Sequence, residues 1–238
     1  MPTLNVSPRL VEQVYEALLS EIIEGALPPN TRLIQDDLAT AYGVSRQPVQ
    51  QALLLLRNRG LVQDAPGRGL VVSPLDVDFV RNLYEVRAVL EGLAARMAAK
   101  HNPRRAATEG PPLIEAGRAA VESGSVMQEI AADMAFHSFI YEASGNPLIR
   151  ETVAQHWHYL RRVMAEVLRD DEKIPGSIWD EHAAILNAII AGDGDKAEGL
   201  GLLHIARAAN IFVVRLQAHH DASTEDLQRR HVRREKRQ

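Results

Sequence analysis

Apolar residues recur at Leu10, Val14, Leu18 and Ile22, one per turn on a single face, and Gly25 closes the run. That spacing predicts an amphipathic helix at the start of the chain. After the turn Leu27-Pro28-Pro29-Asn30, a short second helix is expected from Gln35 to Tyr42, broken by Gly43. Ser45 stands where an N-cap belongs, and Pro48 is tolerated in a first turn. Val49, Ala52, Leu53 and Leu56 then mark the apolar face of a third helix that stops at Gly60. Two β-like runs, Leu61 to Asp64 and Leu70 to Ser73, flank Pro66-Gly67-Arg68-Gly69 and read as a hairpin. Helix, helix, turn, helix, hairpin is the order of a winged helix-turn-helix.

Beyond Asp76 the alternating pattern disappears. Amphipathic segments are expected over 76–100, 111–123, 126–143, 146–170, 178–192 and 195–219, separated by breakers such as Asn102-Pro103 and Gly192-Asp193-Gly194. About six helices with short connections predict an antiparallel bundle. The fold class is therefore mainly α: a winged helix-turn-helix with a small β-hairpin wing over 1–75, then an all-α bundle over 76–222. Residues 223–238 are charged and poor in apolar side chains, so they are expected to be disordered.

Composition narrows the function classes. At 46% hydrophobic and 24% charged, the chain can fill a core. It has no cysteine, which excludes disulfides and thiolate metal sites. The first residues lack an apolar signal region, and runs such as Leu53 to Leu56 or Ile185 to Ile190 are too short to span a bilayer. The expectation is a soluble cytoplasmic protein with no membrane partner. A net charge of −4 argues against indiscriminate coating of nucleic acid. Charge is segregated all the same. Glu12, Glu16, Glu21 and Glu24 crowd the first helix, whereas Arg46, Arg57, Arg59 and Arg68 face only Asp64 over 46–70.

The basic side falls where a groove reader needs it. Ser45, Arg46, Gln47, Gln50 and Gln51 occupy the first turns of the third helix, and such residues meet phosphates and base edges in a major groove. Arg68, flanked by two glycines at the wing tip, can approach a phosphate or a minor groove. The bland alternative is that these residues only cap and solubilise a helix. The run Gly43-Val44-Ser45-Arg46-Gln47-Pro48-Val49-Gln50-Gln51-Ala52-Leu53 resembles the DNA-binding signature of the GntR regulators. The resemblance implies double-stranded operator DNA as partner, read by a homodimer on a palindromic site. The family pattern carries Arg-Glu where this chain has Gln50-Gln51. Gln still reads adenine bidentately, so the departure implies a different operator rather than lost binding.

A second constellation lies in the helical part. Asp133 and His137 are spaced i, i+4 and share a helix face, and His182 and His204 each interrupt an apolar face further on. Three imidazoles and a carboxylate suit a divalent transition metal, zinc foremost, with nickel or manganese as alternatives. Spacing alone leaves open that each histidine is a hydrogen-bonded core residue. The marks Tyr84-Glu85-Val86-Arg87, Leu90-Glu91, Asp133-x-x-Phe136-His137, Gly145-Asn146-Pro147, Glu181-His182-x-x-Ile185 and Ala191-Gly192-Asp193 resemble the FadR-type C-terminal (FCD) domain of one GntR branch. That resemblance implies metal ligation by Asp133, His137, His182 and His204, and an organic-acid effector of the sugar-acid or dicarboxylate class. Arg87 is the candidate for the effector's charge, with a structural salt bridge as its equal alternative, and Arg161, Arg162 and Asn210 are further candidates. The expected function is a DNA-binding repressor modulated by that effector. A metal-responsive regulator is the alternative. A metal-dependent hydrolase, with Glu181 as base, is the remote one, and the chain is expected not to be an enzyme.

Overall fold

The computed structural model describes residues 8–168 and 177–235. In chain order these form α1 (Pro8–Glu24), β1 (Arg32–Leu33), α2 (Gln35–Tyr42), α3 (Arg46–Asn58), β2 (Val62–Asp64), β3 (Leu70–Val72), α4 (Val77–His101), α5 (Pro103–Ser123), α6 (Val126–Ala143), α7 (Pro147–Ala154), α8 (Trp157–Leu168), α9 (Ile178–Ile190) and α10 (Gly194–Glu235). They divide into two units. The first is Met1–Leu75 with Gln155–Glu166, and the second is Asp76–Ala154 with Val167–Gln238.

In the first unit α1 and α3 pack through Val14, Leu18, Ile22, Val49, Ala52, Leu53 and Leu56, all buried. Gly43 ends α2 at φ 64, a left-handed position where a side chain is strained, and returns its N–H to Thr40 O. The wing is a three-stranded antiparallel sheet of order β1-β3-β2, with Gln63 opposite Val71 and Arg32 opposite Val71 on the other side. β1 escapes a sequence reading because two residues carry no alternation. The surprise of this unit is α8. The pattern over 146–170 predicts one helix belonging to the bundle, yet it breaks after Ala154, and residues 155–166 cluster with the winged helix.

In the second unit α4 and α10 form the main pair, with α5, α6 and α9 packed around them. Asp76 caps α4, its carboxylate accepting from the Asp78 and Phe79 amides at 2.9 and 3.0 Å. α5 starts at Pro103, earlier than the pair Pro111-Pro112 suggests, and carries those prolines inside it. A stripe of small residues and one isoleucine, Ala106, Gly110, Ile114, Gly117 and Ala120, is buried against α6 and α9, so packing overrides propensity. α10 continues through Glu235, so the segment expected to be disordered from 223 is helical to that point, and 236–238 lie outside the described residues. Helix formers without Gly or Pro after Gly201 let the helix propagate. The stretch Gly194–His219 is long and apolar enough to cross a bilayer by length and composition alone. It nevertheless buries Ala197, His204, Ile205, Phe212 and Leu216, as a core helix does.

Candidate functional site

The reader comes first in the chain. α3 buries its Val49 face completely and leaves Ser45, Arg46, Gln47, Gln50 and Gln51 exposed together at its N-terminal end. Ser45 has the extended backbone of an N-cap (φ −73, ψ 165) but makes no side-chain capping bond, so its hydroxyl stays open to an outside acceptor. Arg46 pairs with Asp36 of α2 at the surface. Arg68 is exposed at the wing tip, and its carbonyl accepts from Arg32 of β1, which fastens the tip. Arg32 drew no notice in the sequence, where a lone arginine beside a turn carries no signal.

Two arginines of the basic side point elsewhere. Arg57 holds Asp64 of β2 at 2.6 Å. Arg59 donates to the Tyr15 hydroxyl and to His158 Nε2 of α8, with its guanidinium 4.9 Å from the Tyr15 ring. Arg162, also on α8, donates to the Ser73 carbonyl. Burial and the positive charge of Arg59 push the pKa of His158 down to about 4.

The second constellation assembles inside the helical unit. α6 supplies Asp133 and His137, α9 supplies His182 and α10 supplies His204. All three histidines are buried, and one ring nitrogen from each lies within 4.8 Å of the other two. His182 Nε2 and His204 Nε2 are 3.0 Å apart, and Asp133 Oδ1 is 3.6 Å from both His137 Nε2 and His182 Nε2. Phe136 and Trp179 wall the cluster, their rings 4.5 and 4.6 Å from that of His182.

The opposite nitrogens explain why these faces converge. His137 Nδ1 donates to Glu91 Oε1 of α4 at 2.8 Å, and His204 Nδ1 donates to Glu181 Oε2 at 2.9 Å. His182 Nδ1 is buried without a hydrogen-bond partner among the described residues. Burial opposes the charge of His137, but Glu91 and Asp133 outweigh it and raise its pKa to about 9. Burial likewise opposes the charge of Asp133, and the facing His137 and His182 hold its carboxyl well below the usual range. His182 and His204 are pushed down by burial and by the charge of His137.

This donor set fits a transition metal. Bonds of about 2.0–2.1 Å to nitrogen put ligand atoms of one ion roughly 3–4 Å apart, close to the 3.0 Å between His182 and His204 and the 3.6 Å from Asp133 to His137 and His182, with the three imidazole nitrogens all within 4.8 Å. A carboxylate behind an imidazole N–H is the usual support for a metal-bound histidine. An imidazole-rich, thiolate-free set suits zinc, nickel or manganese.

The effector candidates part company. Arg87 is buried in the helical unit, its Nε donating to Tyr141 Oη at 3.4 Å and its guanidinium 5.6 Å from the Tyr84 ring. Its charge acts on Asp133, Glu91 and His182. The Tyr84 hydroxyl beside it is buried. Asn210 lines a cavity of about 310 Å³ with Ser177, Glu181, Arg207 and Ile211, on the Nδ1 side of His204. Arg161 belongs to the first unit. It lies on that unit's stretch of α8, acting on Tyr15 and His158. Sequence reasoning left Glu91 and Tyr141 without a role, although Glu91 sits one turn from Arg87 on the same buried face.

Comparison with known proteins agrees with both halves. Residues 10–72 match the family model described as "Bacterial regulatory proteins, gntR family", and residues 82–207 match the FCD domain. The HTH-type transcriptional repressor RspR of Escherichia coli K12 is 26% identical over 202 residues, covering 85% of this chain and 88% of that protein. The HTH-type transcriptional regulator LutR of Bacillus subtilis is 28% identical over 216 residues, covering 80% of this chain and 95% of that protein. Among solved structures, Escherichia coli McbR/YncC superposes with a TM-score of 0.71 at 26% identity, covering 87% of this chain and 97% of that one.

Proposed function

The chain belongs to the gntR family of bacterial regulatory proteins and carries an FCD domain, and from that premise we propose a dimeric, cytoplasmic repressor whose hold on operator DNA is set by a small organic acid bound beside a divalent metal. DNA-binding transcriptional regulation is the family's activity, and it displaces the enzyme alternative. Glu181, the carboxylate considered as a general base, is engaged by His204 and Arg207 instead.

The observation that carries the sensing half is the convergence of three buried imidazoles and Asp133 in one pocket with a buried arginine in electrostatic reach. His137, His182, His204 and Asp133 would hold the metal. When bound, it supplies a Lewis-acidic anchor for a carboxylate oxygen. Arg87 meets the remaining negative charge of the acid, and the buried Tyr84 hydroxyl beside it offers a further donor. Phe136 and Trp179 keep water from competing. Sugar acids and dicarboxylates match this combination of charge and hydrogen-bond donors.

Dimerisation has its own support. Phe79, Leu83, Val86, Leu90, Leu93 and Met97 follow one another along α4 at alternating steps of four and three, and each is exposed or half-buried. That is a heptad seam, which two copies of the same helix satisfy. A second copy brings a second α3 for the other half of a palindromic operator.

Operator binding is measured by fluorescence anisotropy with the chain's own upstream region against random DNA at matched salt. A panel of sugar acids and dicarboxylates is scored by thermal shift and by release of the operator. An acid that raises the melting temperature and frees the DNA supports the reading. No preference for the upstream fragment defeats it, and operator affinity that follows added zinc without any acid makes the metal the signal.

A further inference from the structure

The buried face of α4 carries more polar chemistry than a metal pocket and a lone arginine require. Glu91 is wholly buried, and both of its oxygens are taken. Oε1 accepts from His137 Nδ1 at 2.8 Å, and Oε2 accepts from the Tyr141 hydroxyl. Tyr141 is buried too, one turn after His137 on α6, and it accepts from Arg87 Nε at 3.4 Å. The result is a continuous chain of hydrogen bonds, from Arg87 to Tyr141 to Glu91 to His137, with no water-exposed member.

We infer that Glu91 is the positioning carboxylate of the metal pocket, and that Tyr141 aims it. This rests on the metal reading given above. An imidazole has two nitrogens, and only the one without a proton can coordinate. By accepting from His137 Nδ1–H, Glu91 keeps that nitrogen protonated and leaves Nε2, which faces Asp133 and His182, as the atom that coordinates once an ion displaces its proton. By holding the second carboxylate oxygen, Tyr141 stops Glu91 from rotating out of the imidazole plane. The three histidines are not supported alike. His204 leans on Glu181, a partly exposed carboxylate that also serves Arg207, and His182 Nδ1 has no hydrogen-bond partner among the described residues. The orientation of the set therefore depends most on the sealed Glu91–Tyr141 pair. The same pair ties the metal pocket to Arg87, so the metal and a carboxylate on Arg87 share one rigid frame.

The test uses the full chain, with cobalt(II) as a visible probe and zinc measured by chelator competition. Wild type and His182→Ala define the reference. A wild type that takes up no metal, or a His182→Ala protein that binds as wild type does, overturns the underlying metal reading. With the reference in hand, Glu91→Gln keeps size and one acceptor but loses the charge and the second acceptor. It is expected to bind about 10–100-fold more weakly and to shift the cobalt absorption bands at saturation. Tyr141→Phe, which leaves Glu91 in place but unaimed, is expected to show the same band shift with a loss of up to about 10-fold. A shift in the bands cannot come from reduced stability alone. Should Glu91→Gln fail to fold, Tyr141→Phe decides. Affinities within twofold of wild type together with unchanged cobalt spectra in the folded variants overturn the inference.

Discussion

Arg46 is exposed on the first turn of α3, where it pairs with Asp36 at the surface. Such a pair contributes little in water, so the guanidinium is free to exchange it for a guanine edge or a phosphate. Arg46→Ala is expected to weaken binding to the operator by about 10–100-fold while changing affinity for random DNA less. Anisotropy on the two DNAs side by side measures the difference, and equal losses would reduce Arg46 to a phosphate contact. His158 makes a pH prediction. Its pKa falls from an ordinary 6.5 to about 4 in the fold. Between those values the unfolded chain takes up a proton that the folded chain refuses. The stability this histidine contributes is complete above about 6.5 and lost as the pH falls toward 4. Melting temperatures recorded from pH 8 to 4.5 are expected to drop less steeply in His158→Gln than in wild type. The polar residues of α3 were legible beforehand because helical periodicity assigns faces without tertiary knowledge. His158 was not, since its partner Arg59 is distant in the chain and two aromatic neighbours suggest only packing.

At the scale of elements, α5 and α9 meet where a side chain has no room. A Cβ on Gly117 would stand 2.0 Å from the Trp179 ring, which itself presses on Phe136 and His182. Gly117→Ala is expected to cost about 1–3 kcal/mol of stability through overpacking, and to weaken zinc binding because the displaced ring crowds His182. Thermal melts and chelator competition read the two effects. A stable variant with normal zinc affinity would show that Trp179 can yield without moving the cluster. The helices that build the cluster, α6, α9 and α10, follow from apolar period and breakers. The break between α7 and α8 does not, because no proline or glycine marks Gln155-His156 and the amphipathic pattern runs straight through it.

For the whole molecule, the proposed dimer seam on α4 and the proposed metal site set the expected behaviour in solution. Val86 in the seam and Val89 beside it are 57% and 62% exposed, so charging them harms no core. Val86→Glu combined with Val89→Glu is expected to convert the dimer to monomer in sedimentation, with a large loss of operator affinity and an unchanged circular dichroism spectrum. A dimer that persists moves the interface off α4. Without the proposed metal, like and unlike charges around His137 balance on their own. A chelator is therefore expected to lower the melting temperature, and added zinc to restore it. An identical melt with and without the chelator would exclude a metal that stabilises the fold.

Local periodicity and punctuation determined a great deal without coordinates: a reader with a polar leading turn, a wing with an arginine tip, and a set of helices bearing one carboxylate and three histidines on otherwise apolar faces. These are properties of neighbours along the chain, and a repeating backbone geometry translates them directly into faces and ends. Tertiary structure alone decided which distant groups meet. It paired Glu91 and Tyr141 behind His137, turned Arg59 to His158, and grouped Arg161 with the winged helix. Contacts of that kind depend on how whole surfaces pack and desolvate one another, and no pattern of near neighbours encodes them.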